Sequence, residues 1–121
     1  MTDLSPTEAR LRELGLSYPE TTEAFPWGHR SLKVRGKSFA FMSNDGGVFS
    51  LSVKLTTSNL PALSQPFVEP TGYGLARTGW VTARFPAEVT PPLTLLEAWL
   101  DESFRAVAPK KLVTRLDQES G

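Results

Sequence analysis

The chain has 121 residues and 13 basic against 13 acidic side chains, which suits one domain, residues 1–121, and lacks the strongly basic balance common among dedicated nucleic-acid binders. At this length roughly two thirds of the unfolded surface can be buried, so no covalent staple is required. Cysteine is absent, which excludes disulfides, thiol catalysis and cysteine-ligated zinc or iron–sulfur clusters. No run approaches the roughly 20 apolar residues of a membrane span, and no apolar leader opens the chain, so the expectation is a cytoplasmic protein with no membrane partner.

A helix is marked from Pro6 to about Leu14. Ser5 is placed to cap it, Pro6 suits the first helical position and Glu8 closes a capping box. Leu4 and Ala9 are placed as a staple, Leu11 and Leu14 as its inward residues, and Gly15 as its stop. A connector follows, with a short edge strand near Thr21–Phe25 and a break at Pro26. Trp27 reads as a core anchor or pocket wall, or else as a half-exposed stacking surface.

Three strands then carry the clearest signal. Leu32 and Val34 alternate with Lys33 and Arg35 over Ser31–Arg35; Phe39 and Phe41 alternate with Ser38 and Ala40 over Ser38–Ser43. Phe49, Leu51 and Val53 alternate with Ser50, Ser52 and Lys54 over Val48–Leu55. A period of two predicts a sheet with one buried face. Arg35-Gly36-Lys37 and Asn44-Asp45-Gly46-Gly47 supply the reversals. The opposite face is predicted to carry Lys33, Arg35 and Lys54 among small hydroxyls.

Beyond Leu55, Ser58 or Asn59 can cap a short helix ending at Leu63, with Leu60 and Leu63 inward. Pro70-Thr71-Gly72-Tyr73-Gly74 is a glycine-rich loop without the spacing or terminal Lys-Ser/Thr of a phosphate-binding loop. Trp80–Phe85 is a further strand. With Val81, Ala83 and Phe85 in the core, Trp80 and Arg84 fall on the polar face, an inference that a one-residue slip would reverse. Thr90 is placed to cap the longest helix, whose stripe is Leu93, Leu96, Trp99, Leu100, Phe104 and Val107. Lys110–Leu116 is a last short helix, frayed from Asp117. The fold class is α+β: a two-layer sandwich of about five antiparallel strands, with helices on one face.

Catalysis finds little support. His29 is the single histidine and has no nucleophile or carboxylate near it in sequence. One histidine with scattered acids provides no metal site. Ser103 sits in the long helix, away from any nucleophile elbow. No catalytic residue, metal or cofactor is expected. The basic region is the better candidate: Arg30, Lys33, Arg35, Lys37, Lys54, Arg77 and Arg84 stand against only Asp45 and Glu69 between His29 and Phe85. Lysine and arginine reach phosphates, and Trp80 or Tyr73 would stack on unpaired bases. The ordinary alternative is a solvated sheet face that collects cations.

The order of several stretches resembles the MmcQ/YjbR-like family: Tyr18-Pro19-Glu20 with Phe25-Pro26-Trp27-Gly28, Leu32-Lys33-Val34 with Gly36-Lys37-Ser38-Phe39-Ala40-Phe41, Leu51-Ser52-Val53-Lys54, and Tyr73-Gly74 with Gly79-Trp80-Val81. Leu100-Asp101-Glu102-Ser103-Phe104 and Ala108-Pro109-Lys110-Lys111-Leu112 fit as well. The resemblance implies a frataxin-like or secretion-chaperone-like two-layer fold, a double-wing motif and DNA binding. It singles out Trp27, Gly28, Lys37, Phe39, Lys54, Tyr73, Gly79 and Trp80. Of these, Phe39 is better explained by the core, and Gly28 and Gly79 by backbone geometry.

Three expectations follow. The first is a non-enzymatic DNA-binding module using Lys33, Arg35, Lys37, Lys54, Arg77, Trp80 and Arg84. The second is a protein-interaction, chaperone-like or self-associating module using the sheet face or the edge near Thr21–Phe25. The third is a small-molecule pocket between Trp27, Tyr73 and Trp80, with Lys37 or Lys54 fixing an anionic group and His29 among the groove residues.

Overall fold

The computed structural model describes residues 6–25, 29–72 and 74–120. The predicted cap Ser5 and staple residue Leu4, together with Trp27, Gly28 and Tyr73, lie outside the described residues. In chain order the elements are α1 (Pro6–Leu16), β1 (Thr21–Ala24), β2 (Arg30–Val34), β3 (Lys37–Asp45), β4 (Val48–Lys54), α2 (Asn59–Leu63) and β5 (Val68–Pro70). A 3-10 turn (Leu75–Thr78), β6 (Trp80–Pro86), α3 (Leu93–Val107) and α4 (Lys110–Ser120) complete it. The strands form one antiparallel sheet of six in the order β1-β2-β3-β4-β6-β5. The α+β class is as the periodicity predicts. The strand beyond the expected five is β5, three residues too short to carry an alternation of their own.

The two hairpin tips follow their turn chemistry. Val34 pairs with Lys37 across Arg35 and Gly36, which both take positive φ, at 49° and 81°. Asp45 pairs with Val48 across Gly46 and Gly47, at 58° and 84°. Two consecutive positive values are the type I′ pattern that matches strand twist. Arg35 therefore belongs to the turn and not to the strand.

One register feature overturns the simple alternation in β3. Leu32 pairs with Ala40 but Lys33 pairs with Ser38, so Phe39 is the extra residue of a bulge. Below it the pleat changes sides. Phe39, Ala40 and Met42 are all buried on the helix side, whereas Phe41, expected to share a face with Phe39, points the other way. Ser103 on α3 holds the bulge in place: its hydroxyl donates to the Phe39 carbonyl and accepts from the Lys54 amide at 2.8 Å.

The core lies between this sheet face and α1 and α3. Leu32 and Val34, Leu51 and Val53, and Val81, Ala83 and Phe85 meet Leu11, Leu96, Leu100 and Phe104. Phe104 stands edge-on to Phe39 with centroids 5.4 Å apart, and lies 4.5 Å from Tyr18. Gly15 is not the stop of α1, which runs to Leu16; it is buried where the helix crosses the sheet, and a Cβ there would overlap Leu32. Gly79 has φ +100°, and a Cβ would fall 2.7 Å from the Leu55 carbonyl oxygen, so backbone geometry does account for it.

Two helix starts also differ from expectation. Pro92, without a side-chain hydrogen bond, occupies the N-cap of α3 in place of Thr90. Ser58 occupies the N-cap of α2, but the capping group comes from α3: Glu102 accepts from the Thr57 and Ser58 amides, both at 3.0 Å, and from the Ser58 hydroxyl at 2.7 Å. Burial alone would raise the Glu102 carboxyl; these hydrogen bonds outweigh it and hold the carboxyl below its ordinary value. Asp117, expected to fray, lies within α4 and pairs with Arg105 at 2.8 Å. Among the described residues no helix is long and apolar enough to cross a membrane.

Candidate functional site

The register sorts the second face of the sheet into rows. Ser31, Phe41, Ser52, Thr82 and Glu69 follow one another across β2, β3, β4, β6 and β5. On one side of that row Lys33 pairs with Ser38, and Lys54 with Trp80. On the other side Ser43 pairs with Ser50, and Ser50 with Arg84. Strands lie about 4.8 Å apart and rise about 3.4 Å per residue. The Lys33 and Lys54 backbones are therefore roughly 10 Å apart, and the Lys54 and Arg84 rows roughly 14 Å.

This face is polar and partly covered. Ser31, Trp80 and Thr82 are buried, while Lys33, Phe41, Ser43, Ser50, Ser52 and Lys54 are half-buried. Its hydroxyls are linked: Ser52 to Thr82 at 2.8 Å, Thr82 to Thr71 at 2.9 Å, and Ser31 to Ser38 at 2.8 Å. Between the segment at His29 and the loop at Thr71 and Gly72 lies a groove of about 280 Å³. Ser43, Ser50, Ser52, Thr82 and Arg84 line it, and Phe41 and Met42 border it.

Of the residues singled out in the sequence, the fold brings together His29, Lys33, Lys54, Trp80 and Arg84 on this face. Among the described residues it separates Lys37, Arg35 and Arg77 from them. Lys37 pairs with Val34, whose side chain is in the core, so Lys37 projects at the rim on the helix side. Arg35 sits in the hairpin turn, forked onto Glu20 at 2.9 and 3.2 Å. Arg77 is exposed in the 3-10 turn that leads into β6.

Trp80 is on the predicted face but is only 7% exposed, with its ring 5.4 Å from that of Phe41. A ring so covered offers no platform to a base, so the stacking role expected of Trp80 is withdrawn. Phe41 packs against it, and the bulge that put Phe41 there has no periodic signature. Arg84 is tied through Nε to Glu69 at 2.7 Å, which leaves its two terminal nitrogens without a partner among the described residues. Lys33, Lys37, Lys54 and Arg77 have no carboxylate partner among the described residues. The groove hydroxyls were visible only as the small alternate residues of β4; their convergence with Thr71 and His29 is a matter of loops.

Arg30, the remaining cation of the basic stretch, faces the helices. Its guanidinium meets Glu8 at 3.0 Å and Glu23 at 2.6 Å, and Arg12 forks onto Glu23 at 2.8 and 3.0 Å. Asn44 donates to Glu8, and Phe25 lies 4.9 Å from the Arg30 guanidinium carbon. This network fastens α1 to β1, β2 and β3 and takes Arg30 out of the polar face.

A six-stranded antiparallel sheet with its helices on one side and a cation-bearing polar face on the other defines a two-layer α+β domain. A family model described as YjbR matches residues 16–106. The chain belongs to that family, the MmcQ/YjbR family, and the match takes in each resembling stretch except the tail Ala108–Leu112. No curated protein matches the chain.

Proposed function

We propose that this protein is a cytoplasmic, non-enzymatic nucleic-acid-binding module that holds a phosphodiester backbone along the polar face of its sheet. The observation that carries the reading is the pair Lys33 and Lys54, on one side of that face and without carboxylate partners among the described residues. Both lysines are half-buried, and a lysine beside apolar surface usually buries its stem and keeps its ammonium group in water. Arg84 adds a third cation on the far side of the hydroxyl rows, and Arg77 a fourth in the turn that leads into β6. With Trp80 covered, affinity comes from charge and hydrogen bonding, so sequence preference is weak and salt dependence steep.

Fluorescence anisotropy of labelled duplex and single-stranded oligonucleotides, titrated with the protein across a salt series, tests this. The expected log–log slope is about −0.9 per neutralised phosphate on duplex and about −0.7 on single strands. Lys33→Ala and Lys54→Ala each flatten it by about one unit. Binding that ignores salt, or no binding at low salt, overturns the reading.

A further inference from the structure

We infer that the groove between His29 and Arg84 is a subsite for one phosphate group, which deepens and rests on the reading above. Its lining contains two cationic or ionisable nitrogen side chains, His29 and Arg84, and no carboxylate. Glu69 lies outside the lining and takes only Nε of Arg84, so it orients the guanidinium while the terminal nitrogens stay available. That planar pair of donors matches two oxygens of a phosphate. Ser43 and Ser50 stand between Arg84 and His29, half-buried, and their hydroxyls have no partner among the described residues. Thr82, by contrast, is already engaged by Ser52 and Thr71 and fixes the floor. At about 280 Å³ the groove is just below the roughly 300–1,000 Å³ typical of small-molecule sites. It therefore takes one phosphate group, with whatever that group is attached to lying outside the groove. The group comes either from a nucleic-acid backbone or from a small phosphorylated compound.

The test follows amide resonances of isotope-labelled protein during titration with inorganic phosphate, then with a nucleoside monophosphate, at constant ionic strength. Saturable shifts at Ser43, Ser50 and Thr82 are expected, and roughly tenfold weaker binding in Arg84→Gln and in Ser50→Ala. The dispersion of the variants' spectra reports in the same experiment that they fold. No saturable shift at millimolar phosphate, or equal shifts in wild type and both variants, overturns the subsite. Displacement of bound phosphate by an oligonucleotide assigns the group to a backbone. Saturable phosphate or nucleotide binding by a protein that binds no oligonucleotide at low salt supports the subsite and overturns the nucleic-acid reading. Oligonucleotide binding without any saturable phosphate shift at Ser43, Ser50 and Thr82 overturns the subsite alone.

Discussion

Glu23 stands at a position with no periodic meaning, in a four-residue edge strand, yet it joins three elements. It accepts from Arg12 on α1 and from Arg30 on β2. The hydrogen bond from Arg12, aided by that from Arg30, outweighs the cost of burial and holds its carboxyl below the ordinary value of 4.5. A carboxyl lowered in the folded state contributes stability above its unfolded value, and that contribution is lost as pH falls through the folded value. Stability measured by urea denaturation is therefore expected to decline below about pH 4.5. Glu23→Gln should lose about 2 kcal/mol at neutral pH and show a shallower acid limb; an unchanged limb would contradict the assignment. Sequence reading missed this network because Glu8 and Arg12 on α1 share no spacing with Glu23 on β1 or Arg30 on β2. Only the folded register of β1 on β2, Glu23 opposite Leu32, aims Glu23 at the helix.

At the scale of elements, legibility tracked how strictly each segment kept its period. In β4 and β6 every inward residue is as the alternation predicts, and the stripe of α3 buries Leu96, Trp99, Leu100 and Phe104. β3 keeps its strand but changes faces at the Phe39 bulge, because one extra residue exchanges the two sides from that point on. That exchange moves Phe41 onto the polar face and against Trp80, so a single residue of register decides how Trp80 is presented there. β5 was unreadable for a different reason: its three residues are held by pairing with β6 and by Phe67 packing on Phe85 and Trp99, at 4.9 and 6.3 Å. Phe41→Ala provides the check. It should uncover Trp80, shifting tryptophan emission to the red and raising its quenching by iodide, while far-ultraviolet dichroism stays unchanged. Emission identical to wild type would show that something other than Phe41 shields the indole.

For the whole molecule, zero net charge and a cation-bearing face are compatible because most of the acids are placed elsewhere. Glu8 and Glu23 are spent on the buried network, Glu102 caps α2, and Asp101 and Asp117 hold Arg105. Glu20 and Glu69 neutralise Arg35 and part of Arg84. What remains on the polar face is Lys33 and Lys54. Interaction with a polyanion then depends on the local field and not on the total, because charges more than about 8–10 Å from a contact are screened at physiological salt. Two double reversals separate these contributions at equal change in net charge. Lys33→Glu with Lys54→Glu should abolish salt-dependent binding of an oligonucleotide. Lys110→Glu with Lys111→Glu, two exposed positions at the start of α4, should leave most of it. Four reversed side chains, two on each variant, thus test whether the face or the overall charge attracts the ligand. Equal losses in the two variants would mean that the molecule responds to polyanions as a whole, and that the arrangement on the sheet is a solvated surface.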